Sequence, residues 1–551
     1  MEYVGIRRST AGLMGSHEAL LLCSLLLQLD LDVVSSYSGS RRASECRPRS
    51  YGSDSVVCVC DALHCDLPGP VTFPDPGHYT VVTSSREGLR FHSQTHHLDD
   101  HPAEGSVAVE VGFATPRQTI LGFGGAFTDA AGMNMASLSA PAQDLLMRSY
   151  FSPAGLEYNL CRVPIAGTDF SVRPYSYDDV EGDLLLQHFA LAQEDKLYKL
   201  PLILRAQELS QRPLRLVASP WSPPPWMKTI KMHNESGHVL PEMWQPWSNY
   251  LVKFVREYEG AGAVIWGLTT QNHPEPDEVI WWNTCIWTAE EMRDWIKESL
   301  GPTLEAAGLR RLKVMVGDDS RNKFCGFMRQ VLSDSEAARY IDGVAFHWYT
   351  DSEYGPEILN QTHELFPDKF ILYTESCTVP NMKIWKDPGE EAVLLGSWLR
   401  GEAYAVNIIE DVNHYSAGWV DWNLALDTSG GPSWAGNRVD SPIIINATAD
   451  EFYKQPMFYV MGHFSKFVAP GSTVVPSRML EPEHQDIHTA AFLHPDGPTV
   501  LVLLNTGEAA MEVSVQIESG RFLNLHLPAR AIQTVLFTRQ QHKIPAAAGE
   551  L

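Results

Sequence analysis

Asp129, Arg162, Trp221, the pair Asn272 and His273, the pair Asp318 and Asp319, the triplet His347, Trp348 and Tyr349, Glu375 and Trp419 all stand at the ends of short apolar runs. Carboxylates gathered with Trp and Tyr suit a carbohydrate. An aromatic ring stacks on the apolar face of a pyranose while Asp and Asn hold its hydroxyls, and carboxyl groups supply the acid and the nucleophile of glycoside cleavage. Taken singly, none of these residues decides anything. Glu375, closing Phe-Ile-Leu-Tyr-Thr, equally fits an ion-paired structural carboxylate, and Trp221 and Trp419, next to Pro and Gly, equally fit a core.

Bringing these residues to one place requires the runs to be neighbouring strands. Eight runs recur up to about Leu426, starting at Thr119, Tyr158, Leu214, Val264, Leu312, Val344, Phe370 and Gly418, with helical periodicity between them. Thr288-Ala-Glu-Glu291 ahead of Met292, Trp295 and Ile296 is a capping box that opens one such helix. Eight strands alternating with helices predict an α/β chain folded as a (β/α)8 barrel, whose chemistry lies at the C-terminal ends of the strands. Residues 71–115 and 467–539 alternate instead without helical caps, which predicts an appended all-β sandwich built from both chain ends. The resulting division is a signal peptide over 1–40, a disulfide region with sandwich strands over 41–115, a barrel over 116–452, the rest of the sandwich over 453–540, and a tail over 541–551.

Composition bounds the function. A chain of 551 residues with 44% hydrophobic and 20% charged residues is globular rather than disordered. With 67 acidic against 42 basic residues, its formal charge of -25 excludes a surface that neutralises phosphates, so no nucleic-acid partner is expected. Arg7 and Arg8 precede an apolar run from Ala19 to Leu29 and a small-residue stretch around Ser35–Ser40, the order of a secretory signal, although a buried N-terminal helix has a similar run. The run is too short to span a bilayer. Cys46, Cys58, Cys60 and Cys65 crowd the expected mature N-terminus, as two local disulfides or, alternatively, a zinc site. Cys161, Cys285, Cys325 and Cys377 read as free, buried thiols, and Asn234, Asn360 and Asn446 open acceptor sequons for glycosylation.

The motifs together resemble those of the lysosomal glucosylceramidases of glycoside hydrolase family 30. Gly122-Phe-Gly-Gly-Ala-Phe-Thr-Asp129, Arg162-Val-Pro, Ala218-Ser-Pro-Trp221, His347-Trp-Tyr349, Thr374-Glu-Ser-Cys377, Trp419-Val-Asp-Trp-Asn-Leu-Ala-Leu426, Val439-Asp-Ser-Pro-Ile443 and Tyr453-Lys-Gln-Pro-Met-Phe458 carry the likeness across nearly the whole mature length. The resemblance implies retaining hydrolysis of glucosylceramide in the lysosome, no metal or organic cofactor, a saposin-type activator and a lysosomal delivery receptor. It also implies disulfides Cys46–Cys58 and Cys60–Cys65, Glu375 as nucleophile, and Asp129, Trp221, Asn272, Tyr349, Trp419 and Asn437 around the glucose.

One position departs from that pattern. The family ends its fourth strand with Asn-Glu-Pro, whose Glu is the acid and base, whereas this chain reads Gln271-Asn272-His273-Pro274. The carboxyl pair of retaining hydrolysis is therefore incomplete. His273 takes the acid/base position, either as a proton donor or as a mere filler, with Glu275 beyond Pro274 the other candidate. The expectation is a β-glucosidase acting on glucosylceramide, against the alternative of a catalytically impaired glycolipid- or sugar-binding protein.

Overall fold

The computed structural model of the protein describes residues 45–275, 282–380, 391–480, 485–518 and 520–539. The expected signal and the tail lie outside the described residues. Among those described, no helix is long and apolar enough to cross a membrane.

The eight apolar runs do form one closed parallel barrel: β1 (Gly122–Ala126), β2 (Leu160–Ile165), β3 (Arg215–Pro220), β4 (Ile265–Thr269), β5 (Lys313–Ser320), β6 (Gly343–His347), β7 (Phe370–Glu375) and β8 (Ser416–Asn423). Closure comes from β8 pairing with β1, Gly418 opposite Gly122. Inward-pointing Leu160, Val217, Met315, Ala345, Leu372 and Val420 fill the barrel, the packed interior that this fold requires. Gly124 permits a close strand approach, since a Cβ there would lie 1.8 Å from the Leu160 carbonyl oxygen. Three of the register shifts fall toward C-terminal ends, between Gly317 and Asp319, Phe346 and His347, and Val420 and Asn423. Bulges of this kind re-aim side chains next to sites. Thr288 caps the helix Ala289–Trp295, with the Glu291 amide donating to Thr288 Oγ1 at 3.1 Å and the Thr288 amide to Glu291 Oε2 at 2.8 Å.

Both chain ends build the sandwich. One sheet of six strands runs Thr473–Val475, Ile487–Leu493, Thr499–Asn505, Ala531–Phe537, His78–Ser85 and His92–His97; the other, of four, runs Ser477–Met479, Val107–Val111, Met511–Glu518 and Arg521–Leu527. Val81, Val109, Leu501, Val513, Leu523 and Val535 pack between them. A further sheet joins Pro48–Arg49 and Val57–Asp61 to Glu451–Lys454, Ile443–Asn446 and Leu426–Asp427. It holds the cysteine cluster, in which Cys46 bonds Cys58 and Cys60 bonds Cys65, with Cα separations of 5.1 and 4.5 Å. That pairing excludes the zinc alternative. Cys161, Cys285 and Cys377 are buried free thiols, but Cys325 is a correction: it is exposed on the turn Phe324–Met328. Asn234 is exposed in a turn, Asn360 is half-buried on the helix Glu357–Leu365, and the Asn446 amide already donates to the Tyr453 hydroxyl at 3.0 Å.

Candidate active site

Arg162, within β2, organises the C-terminal end of the barrel. Its fully buried guanidinium donates to Asn272 Oδ1 at 2.7 Å, Asp318 Oδ2 at 2.6 Å and Ser219 Oγ at 3.0 Å, and to Glu375 Oε2. It lies 4.7 Å from the Trp221 ring centroid, and Trp221 stacks on Trp422 at 5.2 Å. Tyr349 donates its hydroxyl to the other Glu375 oxygen at 2.7 Å. Burial pushes the Glu375 pKa up, but the charges on Arg162 and the two histidines and the Tyr349 bond outweigh it, so the carboxyl is held below its ordinary range. Glu375 is thus an ionised, oriented carboxylate with both oxygens addressed.

The strand ends explain how His273 arrives beside it. Beyond β4 the backbone keeps alternating between neighbours: the Thr270 amide donates to Met315, Asn272 to Pro220 and His273 to Asp318. His273 then turns at a φ of +46°, a left-handed conformation tolerated by His. Its Nδ1 lies 3.0 Å from Asp319 Oδ1 and its Nε2 lies 3.1 Å from His347 Nδ1, while His347 Nε2 lies 3.0 Å from Asp318 Oδ1. Burial lowers the His273 pKa, but Asp319 first, then Glu375 and Asp318, overcome it and raise it to about 9. His347, under the dominant cost of burial, goes down. Glu275, the other candidate, lies past Pro274 and is not part of the pocket wall among the described residues.

That pocket encloses about 210 Å³ between Asp169, Phe170, Trp221, Asn272, His273, Trp282, Tyr349, Glu375, Cys377, Val379, Trp422, Asn437, Arg438 and Val439. Six of the expected residues, Trp221, Asn272, His273, Tyr349, Glu375 and Asn437, come together here. Two do not. Asp129 heads the helix Asp129–Ala136, where it accepts from Ser171 Oγ at 2.6 Å and Tyr175 OH at 2.9 Å and pairs with Lys199, buried away from the pocket. Its contact with Ser171 braces the loop that presents Asp169, and it is Asp169 that faces the pocket, accepting from Asn437 Nδ2 at 2.9 Å. Trp419 is the second correction. It faces the helix Trp398–Asn413, its indole donating to Asn407 Oδ1 at 2.8 Å, and Trp422 lines the pocket in its stead. Val420 fills the barrel, so alternation along β8 turns Trp419 outward and returns Trp422 to the inner side. That parity was a usable signal in the sequence; Asp169, in a loop after β2, had none so direct.

Two family models divide the chain where the architecture does: the glycosyl hydrolase family 30 TIM-barrel domain matches residues 120–468 and the family 30 beta sandwich domain matches 471–535. The chain belongs to glycoside hydrolase family 30. Among its relatives, lysosomal acid glucosylceramidase of Mus musculus is 40% identical over 505 residues, covering 90% of this chain and 96% of the relative. Putative glucosylceramidase 3 of Caenorhabditis elegans is 38% identical over 96% of this chain and 100% of its own. Among solved structures, SrfJ from Salmonella typhimurium aligns with a TM-score of 0.77 at 27% identity, over 84% of this chain and 100% of SrfJ. This family 30 member is a glycoside hydrolase, and its fourth barrel strand delivers His273 to a pocket whose described wall carries the carboxylates Glu375 and Asp169.

Proposed function

We propose that this family 30 hydrolase is a retaining β-glucosidase that cleaves glucosylceramide to glucose and ceramide, with Glu375 as nucleophile and His273 in the acid/base position. The observation that carries the reading is the Glu375 carboxylate, oriented by Arg162 and Tyr349 and opening into a small aromatic pocket. At about 210 Å³ the pocket is below the ~300–1,000 Å³ of drug-sized sites, which fits one sugar ring better than a chain. Trp221 and Trp422 supply stacking faces, and Asp169, Asn272, Tyr349 and Asn437 supply hydroxyl partners. Attack by Glu375 on the anomeric carbon forms a glucosyl ester as the bond to the ceramide oxygen breaks and that oxygen takes a proton; water then cleaves the ester. The names of the mouse and nematode relatives support the substrate, and the mouse name supports a lysosomal lumen. A saposin-type activator, a delivery receptor, a cleaved signal and glycans at Asn234, Asn360 or Asn446 belong to the same reading. Proton NMR of a hydrolysis in progress should show β-glucose before mutarotation, with ceramide released; α-glucose appearing first would refute retention.

The second reading, a sugar-binding protein that turns over poorly, is favoured by one feature: both His273 ring nitrogens are engaged with protein groups, Asp319 and His347, rather than left for a leaving oxygen. The two readings separate on glucosylceramide against activated aryl glucosides.

Asp169 yields a pH signature for the sugar subsite. Burial above all, then the nearby Glu375 charge, raises its pKa to about 6 against the lowering bond from Asn437 and charge on His273. Above that pH it is a carboxylate that accepts strongly from sugar hydroxyls; below it the carboxyl is neutral. Affinity for an uncharged glucose-like inhibitor should therefore rise roughly five- to tenfold as pH increases through about 6, the difference between charged and neutral acceptors. In Asp169→Asn the same inhibitor titration should be flat; a step that persists assigns the titration to another group.

A further inference from the structure

The His273 and His347 rings face each other so that a cation, whether a proton or a metal ion, fits between them. Each imidazole has one nitrogen on a carboxylate, His273 on Asp319 and His347 on Asp318, both at 3.0 Å. A carboxylate only accepts, so each ring spends its N–H there when neutral. The nitrogens left over, His273 Nε2 and His347 Nδ1, then turn lone pairs toward each other at 3.1 Å. A carboxylate behind each imidazole is also the arrangement that orients histidines on a metal ion and raises their basicity. Glu375 supplies a third donor: one ligand atom from each of His273, His347 and Glu375 falls within a 4.8 Å set.

The distances suit a borderline divalent cation. With zinc–nitrogen bonds of about 2.0–2.1 Å, nitrogens 3.1 Å apart subtend an angle of about 100° at the ion, and a shift of a few tenths of an ångström brings it to tetrahedral. Charge favours the same ion. Asp318, Asp319 and Glu375 surround the spot, with Arg162 as the guanidinium set against them. The His273 side chain keeps 23% of its surface exposed toward the pocket, which leaves a way in and a fourth position for water.

We propose that His273, His347 and Glu375 form an inhibitory zinc site, created in this chain by the histidine at position 273. Binding displaces the proton held between the facing nitrogens and occupies an oxygen of Glu375, so the metal and the glycosyl ester exclude each other. The inhibition rests on Glu375 being the nucleophile; the site itself does not.

Calorimetry with zinc chloride at pH 7.5 should find one ion per chain, and His273→Gln should bind it at least about 10–100-fold more weakly. Asp319→Asn, which leaves all three ligands and removes one orienting carboxylate, should weaken it by a similar factor and stands in if His273→Gln fails to fold. Zinc, but not magnesium, should also slow labelling of Glu375 by a cyclitol epoxide, and EDTA should restore it. Zinc taken up equally by the parent and both variants would place it elsewhere, for example on the exposed histidines of strand His92–His97, and overturn the proposal. So would labelling of Glu375 at an unchanged rate in saturating zinc. Binding that depends on His273 without any label on Glu375 would instead leave the metal site standing and refute the nucleophile.

Discussion

Replacing Glu375 by Gln should slow turnover of every β-glucoside by about 10⁴-fold or more and abolish covalent labelling by a cyclitol epoxide. Arg162 and Tyr349 each address one carboxylate oxygen, and their positive charge and hydrogen bond hold it ionised against the cost of burial. An amide in that place has no nucleophilic oxygen, and loss of a nucleophile acting within a catalytic unit costs a large share of the whole rate enhancement. Loss of fold is a separate matter that the same substitution raises, since breaking a buried ion pair can cost about 3–5 kcal/mol. Here the damage should be smaller, because Arg162 keeps Asp318 at 2.6 Å and Asn272 at 2.7 Å. Thermal melts should therefore show Glu375→Gln folded. Peptide mapping of the labelled parent should find the adduct on Glu375; an adduct elsewhere, or one that survives the substitution, would remove Glu375 from the mechanism.

The barrel and the sandwich were legible because their signals are periodic. Eight apolar runs separated by helical stretches leave few alternatives to a closed parallel sheet, and alternation at both ends leaves few alternatives to a sandwich. The sheet around the cysteines was not legible, since its strands are two to five residues long and pair the N-terminus with segments near Leu426 and Tyr453. So short a strand has no period to read. The site divides in the same way. Glu375, Tyr349, Trp221 and the Asn272-His273 pair sit at or next to strand ends, where position follows from the barrel. Asp129 and Trp419 were misplaced for local reasons: a residue that opens a helix turns away from the mouth, and one odd-numbered step along β8 reverses the face. Asp169 sits in a loop fixed by distant partners, with Ser171 held by Asp129 and the Trp434 indole donating to Thr168. No pattern within the loop itself announces that placement.

His273→Glu should raise turnover of glucosylceramide by a large factor, up to about 10²–10⁴, the usual worth of a positioned acid/base. The gain should shrink for aryl glucosides whose leaving groups depart without a proton, because the formation of the Glu375 ester then needs no acid. His273 reaches the pocket, but Nδ1 is spent on Asp319 and Nε2 on His347, so the ring must break one of those contacts to serve a leaving oxygen. A Glu at the same place would restore the carboxyl pair and would not be tied by Nδ1 to Asp319. It would inherit the left-handed backbone at φ +46°, which costs a residue without His's tolerance for that region about 1–2 kcal/mol. That strain, and the loss of the imidazole partner of Asp319, which keeps the Ser320 amide at 2.8 Å, set the stability against which activity should be read. Azide should speed deglycosylation of the parent if His273 is inert, by standing in for the activated water. The opposite result is equally readable. If His273→Ala is slower than the parent on glucosylceramide and His273→Glu brings no gain, the imidazole itself supplies the proton, and the contacts to Asp319 and His347 must loosen once substrate is bound.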